Sequence, residues 1–263
     1  RLKASPSLRQ GSTRGKLPPM QDSADPVATA PPLRRLDRRV ALVTGGGSGA
    51  GAAIARRCAA MGASVVVADI DFALAGEVAA SIRGTGGGAL AHRCDVAAEE
   101  QVAALIDRVT REFGGLDLVF NVAGPWLSGD PLAHWSRIVS ANLLGTMHVT
   151  RQAIEVLKRR GGAIVNVAAD AGLGFGAEDR PAYCAAKAGI VRLTAALCYL
   201  KDKKIRVNCI APDMIGEVED FAAVAVGLAL REDFAGRVLL YRNGRASELV
   251  DFGDPGFRQS QPL

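Results

Sequence analysis

The sequence predicts an α/β fold, a doubly wound Rossmann-type parallel sheet flanked by helices on both faces. From Val40 onward, short β-branched runs alternate with helical patterns. The centres of the runs are almost continuously apolar, which is typical of parallel strands buried on both faces. The first run leads directly into a glycine-rich segment that opens a helix, as the first strand of a dinucleotide-binding sheet does.

Seven strands are predicted from the apolar, β-branched runs. In chain order they are Val40–Thr44, Ser64–Asp69, Ala89–Arg93, Leu116–Asn121, Ala163–Ala168, Ile205–Ile210 and Arg237–Tyr241. Helical patterns fill the intervals between these runs. They are Gly49–Met61, Phe72–Ile82, Glu99–Phe113, Trp135–Arg159, Pro181–Leu200 and Val218–Leu230. Asp71 is expected to cap the second helix, and the third has the clearest period, with Val102, Leu105 and Val109 on one stripe.

The composition divides the chain into three parts. Residues 1–36 are rich in Ser, Pro, Thr and Arg without apolar periodicity and are predicted to be a disordered leader. Their first nineteen residues resemble an organelle transit peptide in composition, but we favour an upstream extension before a start at Met20. Residues 37–245 are expected to form one domain, and residues 246–263 a C-terminal tail.

The charge is distributed unevenly. Residues 1–39 hold nine Lys/Arg and three Asp, or 9 − 3 = +6, whereas the remainder holds 32 − 9 = 23 basic and 27 − 3 = 24 acidic residues, or −1. A nearly neutral domain argues against nucleic-acid binding. The sequence has no run of 18 or more apolar residues, so a membrane span is not expected. The five cysteines are scattered and predict reduced thiols in a cytoplasmic protein, and no metal site is expected.

A phosphate-binding loop is predicted at Thr44–Gly51, which reads TGGGSGAG. Glycines let the backbone approach a ligand closely, and the following helix offers free N–H groups and a positive dipole end to a diphosphate. The second strand ends at Asp69, 69 − 51 = 18 residues beyond the last glycine. A carboxylate there can accept both ribose hydroxyls and would repel a 2′-phosphate. The pattern therefore predicts NAD as cofactor and makes NADP less favoured.

These and later motifs resemble the short-chain dehydrogenase/reductase family. The motifs that match are Thr44-Gly45-x-x-x-Gly49-x-Gly51, Cys94-Asp95-Val96, Asn121-Val122-Ala123-Gly124, Ser140-Ala141-Asn142-Leu143, Tyr183-x-x-x-Lys187 and the segment from Arg206 to Pro212. The likeness runs from about Arg39 to about Gly244. It implies a cofactor site built from Thr44, Gly45, Ser48, Gly49, Gly51, Asp69, Asp95, Val96, Asn121, Ala123, Gly124, Tyr183, Lys187, Pro212 and Ile215.

The resemblance also implies the catalytic residues Asn142, Tyr183 and Lys187. Tyr183 would exchange the proton of the substrate hydroxyl, and Lys187, four residues later on the same helix face, would lower the pKa of the tyrosine. By the same resemblance, Lys187 would bond the nicotinamide ribose and Asn142 would hold a water that relays protons. The implied activity is hydride transfer between a secondary alcohol or ketone and NAD.

Several positions depart from the family pattern. Alignment on Val165-Asn166-Val167 puts Ala169 where the family has a hydrogen-bond-donating serine, and a count of thirteen residues before Tyr183 gives Asp170 instead. Asp213 and Glu217 replace a usual Gly and Thr, and the interval that normally forms a substrate lid is short. A catalytically impaired or inactive NAD-binding protein with a regulatory or structural role is therefore the alternative.

The expected partner is a small alcohol or ketone. By resemblance alone, the chain is also expected to form a homodimer or homotetramer through its two long helices.

Overall fold

The computed structural model describes residues 36–125, 133–176 and 179–250. Eight strands form one sheet in the order β3-β2-β1-β4-β5-β6-β7-β8. They are β1 (Val40–Thr44), β2 (Ser64–Asp69), β3 (Ala89–Arg93), β4 (Leu118–Asn121), β5 (Gly162–Val167), β6 (Ile205–Pro212), β7 (Val238–Tyr241) and β8 (Glu248–Leu249). The first seven run parallel, and β8 pairs antiparallel with β7. The predicted fold class is confirmed.

The helices lie in two layers. They are α1 (Gly49–Ala60), α2 (Phe72–Gly84), α3 (Glu99–Phe113), α4 (Trp135–Val139), α5 (Gly145–Leu157), α6 (Pro181–Ala196) and α7 (Val218–Leu230). Alternate residues of each strand point to opposite faces, so Val43 packs with α1, α2 and α7, whereas Leu42 packs with α3 and α5. Ile190 of α6 packs on the sheet over Cys209 of β6.

Most predicted elements are found within two residues of their predicted ends. β4 begins at Leu118, two residues after the predicted Leu116. The backbone of the buried Asp117 still bonds Val40 of β1 and Ala163 of β5, and the Asp117 side chain also holds the start of β1. Its carboxylate accepts from the Val40 N–H (2.9 Å) and pairs with the Arg39 guanidinium (2.8 Å). β8 lies in the stretch predicted to be a tail. The predicted leader up to residue 35 and the tail beyond residue 250 lie outside the described residues.

The prediction of one helix over Trp135–Arg159 is wrong. Residues Ser140–Leu144 form a π-helical turn between α4 and α5. The Asn142 side chain donates from Nδ2 to the Ile138 carbonyl oxygen (3.1 Å), an acceptor in the preceding helical turn. Such side-chain competition for backbone acceptors displaces the regular hydrogen-bond ladder, and π turns occur often at functional sites.

The helix predicted over Pro181–Leu200 also ends early. α6 stops at Ala196 and continues as a 3₁₀ segment, Leu197–Lys203. The whole stretch Pro181–Lys203 is long and apolar enough to cross a bilayer by length and composition. In this fold one side of α6 covers the sheet, so its apolar composition has a structural explanation.

A buried polar network joins the centre of the sheet to both helices behind it. Asn121 Nδ2 donates to Thr150 Oγ1 (3.0 Å) and to Asn166 Oδ1 (2.8 Å), and Asn166 Nδ2 donates to Thr194 Oγ1 (3.0 Å). These four side chains are at most 2% exposed. Because buried polar groups are costly unless paired, this network fixes the positions of α5 and α6 against β4 and β5.

Candidate active site

The glycine-rich loop after β1 is packed too tightly for side chains. A Cβ on Gly51 would overlap the Gly45 carbonyl oxygen, and one on Gly45 would come within 2.8 Å of the Ala123 nitrogen. Gly47 N donates to Asp69 Oδ2 (2.9 Å), which fixes the loop to the end of β2. Gly49 differs, because its φ is +48° and a Cβ there would meet open space. The loop therefore faces outward at Gly49.

The amino terminus of α1 begins at that open point. Ser48 occupies the N-cap position, but within residues 36–125 no side chain caps the helix, and the first turn holds no acidic residue. The first N–H groups and the positive end of the helix dipole are thus left for an external anion. The loop and the helix together fit the diphosphate of a dinucleotide.

Asp69 lies at the carboxyl end of β2, beside the loop. Besides the Gly47 N–H, its carboxylate accepts the Asp71 N–H at Oδ1 (3.0 Å). These two bonds hold the carboxylate at the edge where the sheet order predicts the adenosine ribose. Ile70, Phe72 and Leu74, which follow Asp69 in sequence, are exposed apolar residues, and Arg93 of β3 is the register partner of Asp69 in the sheet.

The buried side chains of Asn142 and Lys187 both lie beside Gly124, on the same edge. A Cβ on Gly124 would collide with Asn142 Oδ1 and lie 3.3 Å from Lys187 Nζ, so both atoms border Gly124. Asn142 is fully buried, and its Oδ1 has no hydrogen-bond partner among the described residues. Its Nδ2 is held by the carbonyl oxygens of Ile138 and Pro125 (3.1 and 3.2 Å). The amide oxygen is therefore fixed and available to a small polar ligand such as water.

Lys187 is only 3% exposed. Its ammonium donates to the Val167 carbonyl oxygen (3.1 Å) at the end of β5. Burial lowers its pKa to about 8. The backbone of Lys187 packs closely against Gly172, where a Cβ would lie 2.5 Å from the Lys187 carbonyl carbon, so position 172 requires a glycine.

The structure contradicts the predicted lowering of the Tyr183 pKa by Lys187. Burial, together with the nearby Asp170 carboxylate and Cys184, raises the pKa of the Tyr183 phenol to about 12. Lys187 Nζ lies 5.3 Å from the centre of the tyrosine ring, and the ammonium is itself destabilised by burial. Desolvation of the phenolate therefore outweighs the attraction of one buried cation.

The stretch after β5 holds Ala169 and Asp170. Ala169 is buried and precedes the 3₁₀ turn Asp170–Leu173, which packs against α6. Burial raises the pKa of the Asp170 carboxyl; Asp213 raises it further, whereas the Ala171 N–H and Arg242 lower it. Sequence patterns missed Arg242, which follows β7 and lies in this group because β5, β6 and β7 are adjacent.

Some predicted cofactor residues make hydrogen bonds or packing contacts within the protein itself. Thr44 Oγ1 accepts the N–H groups of Val122 (3.2 Å) and Ala123 (3.4 Å) and so links β1 to the loop after β4. Asn121 belongs to the buried polar network. Val96 packs in the core, where its Cγ2 leaves no room for a Cβ on Gly145.

The remaining predicted residues lie along the carboxyl edge. Ala123 and Gly124 follow β4, and Asp95 precedes α3, where its Oδ1 accepts the Ala97 N–H (2.9 Å). Pro212 is buried at the end of β6, and Ile215 packs partly on the core. Only five residues separate β6 from α7, and α7 packs on α1, so the region of a substrate lid is replaced by a short loop here.

Comparison with known proteins identifies the family. The family described as short chain dehydrogenase matches residues 39–220. The cis-4-hydroxycyclohexanecarboxylate dehydrogenase of Sinomonas cyclohexanicum is 38% identical over 221 residues, which are 81% of this chain and 86% of that protein. The galactitol 2-dehydrogenase of Agrobacterium fabrum is 38% identical over 189 residues, 69% of this chain and 72% of that protein.

The fold agrees with these matches. The crystal structure of a short-chain type dehydrogenase/reductase from Mycobacterium marinum superposes with a TM-score of 0.76 at 29% identity, over 81% of this chain and 96% of that one. The predicted family and the predicted oxidoreductase class are both confirmed. The chain belongs to the short chain dehydrogenase family, which binds a nicotinamide cofactor.

Proposed function

We propose that this chain is an NAD-dependent dehydrogenase of cyclic or polyhydroxylated secondary alcohols. The observation that carries the proposal is that the buried Asn142 Oδ1 and Lys187 Nζ both border Gly124, with the lysine next to Tyr183, on the edge that also holds the glycine loop. A buried ammonium and an unpartnered amide oxygen are both unfavourable, and proton transfer gives them a role.

The proton is handled by Tyr183. To accept the proton of the substrate hydroxyl, Tyr183 must be a phenolate, and burial disfavours the phenolate. Bound NAD⁺ would accept the hydride, and the positive charge of its nicotinamide would favour the phenolate. Lys187, with its pKa near 8, can supply and recover protons at mild pH. A water held by Asn142 Oδ1 would link the lysine to solvent.

The preference for NAD rests on Asp69. A carboxylate fixed by two backbone N–H groups at the ribose position would repel a 2′-phosphate. The segment from Ile70 to Phe72, which follows Asp69 directly, holds no Lys or Arg that could bind a 2′-phosphate.

The substrate class is inferred from relatives and from the open edge. The two relatives described above are named for a cyclic hydroxy acid and a polyol. Met214, at 63% exposure, and Phe175, at 48%, offer apolar surface beside the short loop after β6. This open rim suits a compact alicyclic substrate.

The test is steady-state turnover with NAD on cyclohexanol-type alcohols and sugar alcohols. Tyr183→Phe should reduce kcat by at least about 10²-fold, the usual contribution of a positioned acid or base. Tyr199→Phe is the matched control, because that tyrosine is exposed on the turn after α6. Equal rates for Tyr183→Phe and the wild type would overturn the assignment.

A second candidate is an NAD-binding protein with weak or no turnover. Ala169 supports it, because an alanine cannot donate to the developing oxyanion, and a missing donor costs about 10²–10³ in rate. Asp170 beside Tyr183 supports it as well, since its charge opposes a phenolate. Binding of NAD without turnover of any alcohol in the panel would favour this role.

The assembly and compartment are also proposals. Leu144 and Met147 at the start of α5 are about 40% exposed, and this apolar surface supports a homodimer or homotetramer through α5 and α6. All five cysteines are free thiols, which suits the reducing cytoplasm. Light scattering of the purified protein checks the assembly.

A further inference from the structure

The carboxyl edge carries acidic side chains at the end opposite the ribose site. Asp170 follows β5, and Asp213 follows β6 directly. Since β5 and β6 are neighbours, the two carboxylates lie side by side and interact. Asp170 also faces Tyr183, so this charge lies at the reacting end of the proposed site.

The Asp213 carboxylate is held in place. Its Oδ1 accepts the N–H groups of Met214 (2.6 Å) and Asn243 (3.1 Å), although the residue is exposed. Arg242 is the nearby cation, but Glu248 shares it at 3.9 Å and its guanidinium lies over the Phe175 ring at 5.8 Å. The group of Asp170, Asp213, Arg242 and Glu248 therefore has three acids against one base.

We propose that Asp170 and Asp213 make the site select the oxidised cofactor over the reduced one. The inference rests on the proposed function, which places nicotinamide at Tyr183 and Lys187. The nicotinamide ring is a cation in NAD⁺ and neutral in NADH, so carboxylates near it attract one redox form and not the other. Asp69 faces the adenosine half, which is identical in both forms, and affects both equally.

This selection assists turnover in the direction of alcohol oxidation. A site that prefers NAD⁺ fills with the oxidised cofactor and releases NADH readily once the hydride has moved. It also gives Asp170 a role of its own, although this side chain cannot replace the hydrogen-bond-donating serine of the family. The carboxylates act here as specificity residues for the redox state of the cofactor.

The test compares dissociation constants by calorimetry for NAD⁺ and for NADH, without substrate. Asp170→Asn and Asp213→Asn should each lower the ratio Kd(NADH)/Kd(NAD⁺) by about three- to tenfold, the size expected for one charge at short range under partial screening. An asparagine at position 213 keeps an Oδ1 for the two backbone donors. Asp170→Glu keeps the charge and should keep the ratio.

Two controls separate this effect from general ones. Glu155→Gln removes an exposed carboxylate from the last turn of α5, which leads to the opposite edge of the sheet, and should leave the ratio unchanged. Raising the salt concentration should lower the ratio in the wild type itself, which needs no variant. Unchanged ratios in both asparagine variants, with both cofactors still bound, would overturn this inference alone. Failure of the wild type to bind either cofactor would instead overturn the proposed function.

Discussion

Lys187 should make the protein more stable as the pH rises from 8 to 10.5. Its pKa is about 8 in the folded chain, against 10.5 in the unfolded one, because burial disfavours the ammonium. Between these values the unfolded chain holds the proton and the folded chain does not. Unfolding therefore takes up a proton there, and the free energy of unfolding rises with pH.

The size of this rise in the free energy of unfolding follows from the shift in the pKa of Lys187. A difference of 10.5 − 8 = 2.5 pKa units corresponds to about 3 kcal/mol at about 1.4 kcal/mol per unit. The penalty is fully present below pH 8 and is gone above 10.5. Lys187→Met removes the titrating group and with it this rise, although it also leaves the Val167 carbonyl without its donor.

The assay is urea unfolding of the cofactor-free protein at intervals from pH 7 to 10.5 under reducing conditions. Cys58 and Cys209, whose pKa burial raises to about 12, act in the opposite sense, because the unfolded thiols ionise first. The quantity to read is thus the difference between the wild type and Lys187→Met, in which Cys58 cancels, whereas Cys209 cancels only in part because Lys187 lowers its pKa. That difference should change by about 3 kcal/mol in favour of the wild type as the pH rises. Parallel curves would show that Lys187 is not buried as an ammonium and would refute the reasoning.

Three further substitutions test the site, and a fourth, in α2, is the control for the glycine loop. Ala169→Ser restores a hydroxyl where the family has one, and kcat/KM should rise by about 10²-fold if the geometry is otherwise intact; a flat response would count against the aligned position. Asp69→Ala removes an acceptor fixed by two N–H groups, so calorimetry should give NADH affinity reduced by about 10- to 100-fold and less discrimination against NADPH. Gly51→Ala, whose Cβ would overlap the Gly45 carbonyl, should weaken cofactor binding and lower stability by about 1–3 kcal/mol in urea. Gly76→Ala in α2, which meets open space, should be neutral or stabilising by up to about 1 kcal/mol.

Local patterns predicted the elements whose physics is local. β1, β2 and α3 were predicted to the residue because apolar runs and a 3.6-residue stripe depend only on neighbours in sequence. The π turn around Asn142 could not be predicted, since it depends on one amide group bonding a backbone carbonyl. β8 is two residues long and exists only because β7 offers an edge.

In the candidate site, too, features that depend on sequence neighbours could be predicted, and features that depend on tertiary contacts could not. The glycine loop and Asp69 could be predicted because their spacing reflects one strand, one turn and one helix. The pKa of Tyr183 could not, because its sign depends on how far the fold buries the phenol and on Asp170, which tertiary packing brings close. Arg242 was missed for the same reason, since only the adjacency of β5, β6 and β7 brings it to the site.

The energetics of the buried site favour an active enzyme over an inert binding protein. Lys187 costs about 3 kcal/mol at neutral pH. Asn142 Oδ1, which has no partner in the described part of the chain, costs about a further 1–3 kcal/mol as an unsatisfied buried acceptor. An apolar side chain at either position would remove that cost but would leave without a donor the carbonyl oxygens that Lys187 and Asn142 now bond. Ala169, by contrast, is a small side chain in a buried place and costs the fold nothing. Lys187 would also serve a chain that only bound NAD, by bonding the nicotinamide ribose, so the argument for proton transfer rests on the Asn142 amide oxygen that has no partner among the described residues.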